Sequence, residues 1–216
     1  GRFQKLSVQG HSTAPSAKAL THMLPAEIAF RHHAHQYPSL VEQVSAAPHT
    51  EIWSTGVLHE IEPMENQRGG FKVGKAMKSV PAKTKGKCLQ FLDPIGRLIY
   101  RKTGTELPDC FCEEFFLYEG DTILGLYFGA SRSKELLHAK IRVVSQGLVT
   151  TAASYGKYGT RTERFHYEGP HLVKMEVHER QHDGQSSEHL VVIEHGAPEP
   201  VVTRHFGGGR ATQIYP

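Results

Sequence analysis

The sequence predicts a mainly β fold: an antiparallel hairpin meander that could close in part into a barrel, with short N-terminal helices before it. Three observations lead to this fold class. A hairpin pattern is repeated within the chain, apolar residues recur at every second position over most of the second half, and turn residues separate these stretches at regular intervals. Alternation with a period of two is typical of strands, whereas helices repeat every 3.6 residues.

The repeat becomes visible when Tyr118 is aligned with Tyr167. The other matched positions are Glu114 with Glu163, Phe116 with Phe165, Glu119-Gly120 with Glu168-Gly169, and Ile123-Leu124 with Leu172-Val173. Each copy has an aromatic arm, a Glu-Gly turn and an apolar arm. Glycine supplies the positive φ that tight hairpin turns require, so each copy is predicted to be a β-hairpin.

The N-terminal part predicts short helices and one strand. Ser16 is a suitable cap for a helix ending at Met23, and Pro25 suits the first turn of a second helix over residues 26–35. A third helix is predicted between Pro38 and Pro48. Residues 50–61 are rich in β-branched and aromatic side chains, which predicts a strand with an irregularity at Gly56.

The stretch from Arg68 to Lys87 has a different composition. It contains seven Lys or Arg, four Gly and no acid, which predicts a long loop. We call residues 68–87 the basic loop. It divides the chain into a mixed N-terminal segment with short helices (1–67), the basic loop itself and an antiparallel β meander (88–216), all within one compact domain.

Ten strands are predicted after the basic loop. Most of them are separated by turns that contain Gly, in several cases next to Pro or Asp. Adjacent strands are joined by short turns, which favours antiparallel hairpins in sequence order. The predicted strands are 88–92, 97–102, 113–118, 122–128, 136–145, 148–155, 160–167, 171–180, 187–195 and 201–206.

Composition limits the function classes. Of the 216 residues, 38% are hydrophobic and 22% are charged, and the formal net charge is +3. The chain can therefore bury a core, and its overall charge does not draw it to nucleic acid. No apolar run has the length of a membrane-spanning helix. Three Cys cannot all pair with one another, which favours reduced thiols and a cytoplasmic location.

One turn carries a family resemblance. The run from Asp93 to Leu98, Asp-Pro-Ile-Gly-Arg-Leu, resembles the Asp-x-x-Gly-Arg-Leu core of the tyrosine-aspartate repeats of Rhs proteins. Leu92 stands where the family has its leading Tyr, and Glu119 and Glu168 replace the Asp in the other hairpins. The resemblance covers about three hairpins, too few for an Rhs-type shell. It implies a twisted hairpin meander, a building block also used by small proteins encoded near bacterial toxins.

Candidate catalytic and metal-binding patterns were each incomplete. Gly69 to Lys75 has the glycine spacing of a phosphate loop, but Ala76 lacks the hydroxyl that such a loop needs. Cys110 and Cys112 have no second Cys pair to complete a zinc site. His178 and His189 are expected to be cross-strand neighbours on a solvent-exposed face of the sheet. We therefore expect no catalytic residue, metal ligand or cofactor.

The sequence thus favours a non-enzymatic bacterial binding protein that sequesters a protein partner, such as an immunity protein that occludes a toxin. A broad sheet face, turn tyrosines and the basic loop would supply the contacts. The expected partner-binding residues are Lys72, Lys75, Lys78, Tyr118, Tyr127, Tyr155, Tyr158 and Tyr167. Two alternatives stay open: a barrel-like carrier of a lipid or small apolar ligand, and an enzyme or toxin with a histidine-centred site. Nucleic acid is not the expected partner.

Overall fold

The computed structural model describes residues 17–196 and 198–216, with side chains from Leu24 onward. Its twelve strands form one antiparallel sheet, and each strand pairs with the next along the chain. The helices are α1 (Ala17–His33), α2 (Tyr37–Ala46) and α3 (Glu65–Arg68). The strands are β1 (Thr50–Ser54), β2 (Cys88–Leu92), β3 (Leu98–Gly104), β4 (Phe111–Glu119), β5 (Thr122–Phe128), β6 (Leu136–Ser145), β7 (Leu148–Gly156), β8 (Gly159–Glu168), β9 (His171–Gln181), β10 (Ser186–Glu194), β11 (Val201–Phe206) and β12 (Ala211–Tyr215). The predicted meander with short N-terminal helices is confirmed.

The ten strands predicted between residues 88 and 206 are all present, with bounds that differ from the predicted ones by at most two residues. β12 was not predicted. β1 is shorter than predicted, because the chain leaves the sheet after Ser54 and the backbone N–H groups of Leu58 and His59 donate to Gln90 Oε1, at 3.0 Å each. β1 pairs with β2, so the N-terminal segment and the meander contribute to one sheet.

The prediction of two separate helices around Pro25 was wrong. Residues 17–33 form a single helix, α1, with Pro25 inside it. Proline costs a backbone hydrogen bond, but its fixed φ is helical. The contacts of α1 with β6 and β7 offset that loss. The predicted cap at Ser16 lies outside the described residues.

The sheet has two faces, covered by different parts of the chain. We call the face that packs against α1 and α2 the outer face. There Tyr37 of α2 meets the rings of Phe115 and Phe128 edge-on, with centroids 5.9 and 5.2 Å away. Leu40 and Val44 join the same apolar cluster. Burial of these rings attaches α2 to the first half of the sheet.

The opposite face, the inner face, is covered by the connection between β1 and β2. We call residues 55–77 of this connection the crossing segment. It passes over β6, where Glu62 contacts Arg142, and reaches β9, where Arg68 contacts Met175. It then meets the far edge, since Gly70 lies against the carbonyl of Ile214 in β12. Finally it returns to β1, where the N–H of Met77 donates to Trp53 O at 2.7 Å.

The sheet does not close into a barrel. In the described chain, β1 and β12 are the two ends of the strand order and do not pair with each other. The crossing segment spans the distance between these edges instead. The broad free face expected from the sequence is therefore occupied on the inner side by the crossing segment, and on part of the outer side by α1 and α2.

Candidate functional site

A network of buried charges lies between the crossing segment and the inner face. At its centre is Glu62, whose side chain is 3% exposed. One Glu62 oxygen is 2.7 Å from Arg142 Nε and 2.5 Å from Lys140 Nζ, and the other is 2.9 Å from Arg68 Nη2. A carboxylate with three cationic partners satisfies the strict pairing that a buried charge requires.

The network continues to both sides of β6 through the two matched Glu of the sequence repeat. Glu114 on β4 accepts from Arg101 Nη2 at 2.5 Å, and its other oxygen lies 3.6 Å from Arg142 Nη2. Glu163 on β8 contacts Lys140 and lies 2.8 Å from Arg161 Nη2. Lys140 and Arg142 on β6 thus each meet an acid two strands away, Lys140 on one side and Arg142 on the other.

Small residues on the intervening strands make these side-chain contacts across two strands possible. A Cβ on Gly125 of β5 would lie 2.5 Å from Arg142 Nη1 and 3.1 Å from Glu114 Oε1. On β7, Ala152 and Ser154 stand opposite Arg142 and Lys140 in the register. Long side chains on β6 can therefore lie across their neighbours to meet Glu114 and Glu163 on the far strands.

The repeat extends to the aromatic positions of β4 and β8. Tyr118 donates its hydroxyl to Leu98 O at 2.9 Å, and Tyr167 donates to Val149 O at 2.7 Å. Burial raises the pKa of each hydroxyl to about 12. The guanidinium of Arg101 lies 5.6 Å from the ring centroid of Phe116, and that of Arg68 lies 5.4 Å from Phe165. The two copies therefore share three features: a tyrosine hydrogen bond to the preceding strand, an arginine placed near the phenylalanine ring, and a raised tyrosine pKa.

The ion pairs keep the buried carboxyl groups charged. Burial alone would raise the pKa of Glu62, but Lys140, Arg142 and Arg68 hold it well below its ordinary value. Arg101 and Arg142 likewise lower the pKa of Glu114 against the effect of burial, and Lys140 and Arg161 do so for Glu163. Glu113, which directly precedes Glu114 in the sequence, faces the outer side of the sheet. There Tyr37, Tyr100 and Lys134 contact it.

His138 on β6 lies next to this network and is stacked on Tyr127, with ring centroids 4.8 Å apart. Burial lowers the pKa of His138 to about 4, so the ring is neutral near pH 7. Burial also raises the pKa of Tyr127. This pair forms an uncharged aromatic edge to an otherwise charged site.

The network predicts a two-stage loss of stability in acid. His138 has a folded pKa of about 4, below its unfolded value of about 6.5, so its contribution is lost as pH falls between these values. The carboxyl pKa values are also depressed on folding, so their contribution is lost below about pH 4.3. In urea titrations, His138→Gln should remove most of the first decline, on the order of 3 kcal/mol, and keep the second. An unchanged first decline would contradict this assignment.

A cavity of about 1000 Å³ opens beside the network. We call it the inner cavity. Its wall includes Tyr127, His138 and Ser154, with Tyr158 and Arg204 farther along the sheet. A second cavity of about 550 Å³ lies on the other side of Glu62 and is lined by Tyr118 and Tyr167, among others. Glu62 lines both cavities and so stands between them.

The structure distributes the predicted tyrosines instead of gathering them. Tyr127 and Tyr158 line the inner cavity, whereas Tyr118 and Tyr167 line the second one. Tyr155 faces the outer side, where its ring meets Phe30 of α1 at 5.6 Å. Tyr158 alone of the five is among the strongly exposed residues, at 71%. No single tyrosine surface forms.

The predicted lysines all lie at the surface. Lys72, Lys75 and Lys78 are exposed on the basic loop, and Lys72 is 3.2 Å from Glu199. Phe71, Val73 and Val80 are exposed between and beside them. The lysines therefore alternate with exposed apolar side chains.

The register of β9 and β10 separates His178 from His189. His178 stands opposite Glu188, and His189 stands opposite Val177, so the expected His178–His189 neighbour pair was wrong by one register position. The shift places the two rings on opposite faces. Cys88, Cys110 and Cys112 are free thiols. In the described part of the chain, no group of three or more His, Cys, Asp or Glu is arranged to hold a metal ion.

The residues that sequence reasoning missed are Glu62, Arg68, Arg101, Lys140, Arg142, Arg161 and Glu163 as a connected network. A signal was present, because Glu114 and Glu163 recur at matching positions of a repeat together with buried aromatic residues. Their partners lie on other strands or on the crossing segment, and no local pattern identifies them.

Comparison with known proteins gave no match: neither a family model, nor a curated protein, nor a solved structure resembles the chain significantly. Within residues 17–196 and 198–216, no helix combines the length and apolarity needed to span a membrane.

Proposed function

We propose that this chain is a non-enzymatic binding protein that sequesters a protein partner, and that the partner presents an acidic surface to the basic loop. The observation that carries the proposal is the composition of the stretch from Phe71 to Val80. It exposes Phe71, Val73 and Val80 to solvent, at 68%, 43% and 72%, together with three lysines and no acid. Apolar anchors flanked by charge are typical of protein interfaces.

The stretch is held in place by the rest of the molecule, which lowers the entropy cost of binding. Arg68, just before it, is buried against Met175 and Glu62. Within it, the N–H of Gly74 donates to Val57 O at 2.8 Å. A Cβ on Gly74 would lie 2.3 Å from the carbonyl oxygen of Gly56, so the close backbone approach requires glycine.

Charge points to the chemistry of the partner. Among the described residues, Lys75 and Lys78 have no acidic group within ion-pair distance, while Lys72 and Lys85 each have one, Glu199 and Glu106. The surface therefore keeps unpaired positive charge at neutral pH. Complementary potential accelerates encounter and selects partners, so an acidic protein surface fits best.

Occlusion of a toxin by an immunity protein is the specific form that we propose. The turn that carried the family resemblance has the geometry of a tightly capped hairpin: Asp93 Oδ1 accepts from the N–H of Arg97 at 2.8 Å, and Gly96 has φ of +85°. The toxin–immunity form of the proposal rests on the resemblance of this turn's sequence to the hairpins used near toxin genes. An apolar-ligand carrier fits less well, because charged side chains line the inner cavity and would lose hydration without compensation.

The experiment is a comparative capture with matched variants. The loop variant carries Lys72→Gln, Lys75→Gln and Lys78→Gln, and the control carries Arg132→Gln, Lys157→Gln and Arg210→Gln. Both remove three surface cations, and in each set one lysine forms an exposed ion pair, with Glu199 or with Glu135. Immobilised proteins are exposed to lysate of the source cell, and retained proteins are quantified by mass spectrometry.

We expect an acidic protein that the wild type and the control retain and the loop variant loses. With that protein purified, the loop variant should associate about tenfold more slowly at low salt, with a smaller difference at high salt. Phe71→Ala should mainly speed dissociation. Equal capture by all three proteins, or capture that added DNA abolishes, would contradict the proposal.

A further inference from the structure

The wall of the inner cavity contains a guanidinium group that has no acidic partner among the described residues. Its four acids, Glu62, Glu65, Glu163 and Glu179, all have ion-pair partners. Its five strong bases are Arg68, Lys140, Arg161, Arg180 and Arg204. The first three pair with those acids, whereas Arg180 and Arg204 have no acidic partner in the described part of the chain. Arg180 alternates with the inner-facing Glu179 on β9 and so faces the other side of the sheet. Arg204 is therefore the guanidinium group that the cavity presents without an acidic partner.

Arg204 is partly buried. It lies on the inner face of β11, opposite Val191 of β10, and its Nε is buried with no hydrogen-bond partner among the described residues. His189, two residues before Val191, has an Nε2 that is likewise buried without a hydrogen-bond partner among the described residues. Burial, together with the charges of Arg204 and Arg161, lowers the pKa of His189, so the ring is neutral. A buried guanidinium nitrogen without an acceptor is costly.

The remaining wall suits a hydroxylated ligand. Ser154 and Ser187, which share the inner face with Arg204, contribute hydroxyl groups, and Gln185 contributes an amide. The exposed ring of Tyr158 lies on the wall and offers a flat apolar surface to a sugar ring. The volume of about 1000 Å³ is at the upper end of the range for small-molecule sites, which suits a ligand larger than a single inorganic ion.

We propose that the inner cavity binds a small, hydroxyl-rich organic anion, a carboxylate or a phosphate ester, whose charge pairs with Arg204. The guanidinium group of Arg204 supplies the fixed, planar donors that carboxylate and phosphate oxygens accept. The site shares only Arg68 and Gly69 with the basic loop and does not depend on the protein partner proposed above.

Four pyranose probes test the charge requirement with one scaffold: glucose 6-phosphate, glucuronate, glucose and glucosamine. Binding is followed by NMR through the backbone amide shifts of the full chain. The two anions should shift amides around Arg204, Ser154 and Tyr158 and bind at least about tenfold more tightly than glucose, with glucosamine weakest. The comparison between glucose 6-phosphate and glucuronate distinguishes a phosphate from a carboxylate preference.

Arg204→Gln should weaken binding of the preferred anion about tenfold or more and leave the glucose titration unchanged. Arg210→Gln, an exposed Arg on the next turn, is the matched control and should bind like the wild type. Because the Arg204 side chain has no hydrogen-bond or ion-pair partner among the described residues, the variant should keep the wild-type amide spectrum elsewhere. Equal binding of all four probes, binding of none, or shifts confined to residues 68–87 would overturn the proposal.

Discussion

Replacement of Glu62 by Gln is expected to lower the free energy of unfolding by about 3–5 kcal/mol. Glu62 is the carboxylate that Arg68, Lys140 and Arg142 share, and all four groups are largely removed from water. Glutamine retains the shape but not the charge, so three cations would remain close together without their central anion. The cost is that of an uncompensated buried charge, not merely of a lost hydrogen bond.

The matched control is Glu106→Gln. Glu106 also forms an ion pair, with Lys85 at 2.5 Å, but its side chain is 78% exposed. Exposed pairs contribute about 0–1 kcal/mol, so this variant should unfold almost like the wild type. Urea titrations of both proteins measure the difference. Equal stability of the two variants would show that the charges around Glu62 are well hydrated, which contradicts the buried network.

Phe115→Ala is expected to cost about 3–5 kcal/mol of unfolding free energy. Phe115 is fully buried on the outer face, where its ring meets those of Tyr100 and Phe128, at 5.1 and 5.7 Å, and that of Tyr37 from α2. Truncation removes the ring around which the aromatic cluster packs and leaves a cavity between α2 and the sheet.

Leu107→Ala provides the reference for this second variant, because Leu107 is 65% exposed in the turn between β3 and β4. The unfolding free energy of Leu107→Ala should differ from that of the wild type by no more than about 0.5 kcal/mol. Urea or thermal unfolding, followed by circular dichroism, distinguishes the two. A loss below 1 kcal/mol for Phe115→Ala would mean that the outer face is not packed as described.

The meander could be predicted because its information is local. Each hairpin carries its own alternation and its own turn, such as Glu119-Gly120, where Gly120 has φ of +54°. Short connections then leave few topologies. Strand β12 escaped prediction because Ala211 to Tyr215 lacks a clear alternation, and β1 was overextended because an apolar run continues past Ser54 into the crossing segment.

The candidate site could be predicted only in part. Period-two spacing places Glu114, Phe116 and Tyr118 on one face of β4, and the repeat places their counterparts likewise on β8. Which face is inner depends on where residues 55–77 run, and that path is set by contacts over long sequence distances, such as Glu62 with Arg142. Composition alone made residues 68–87 conspicuous, but the exposure of Phe71 and Val80 required the structure.

The path of the crossing segment from one sheet edge to the other is the claim on which both proposed sites depend. Zero-length carbodiimide cross-linking with mass spectrometry tests it most directly, because this reagent joins a Lys to a carboxylate only at contact. The structure predicts an amide link between Lys72 and Glu199, whose atoms are 3.2 Å apart. Lys157 with Glu135, 2.7 Å apart, is the internal positive control. Formation of the Lys157–Glu135 link without any Lys72–Glu199 link would contradict the account.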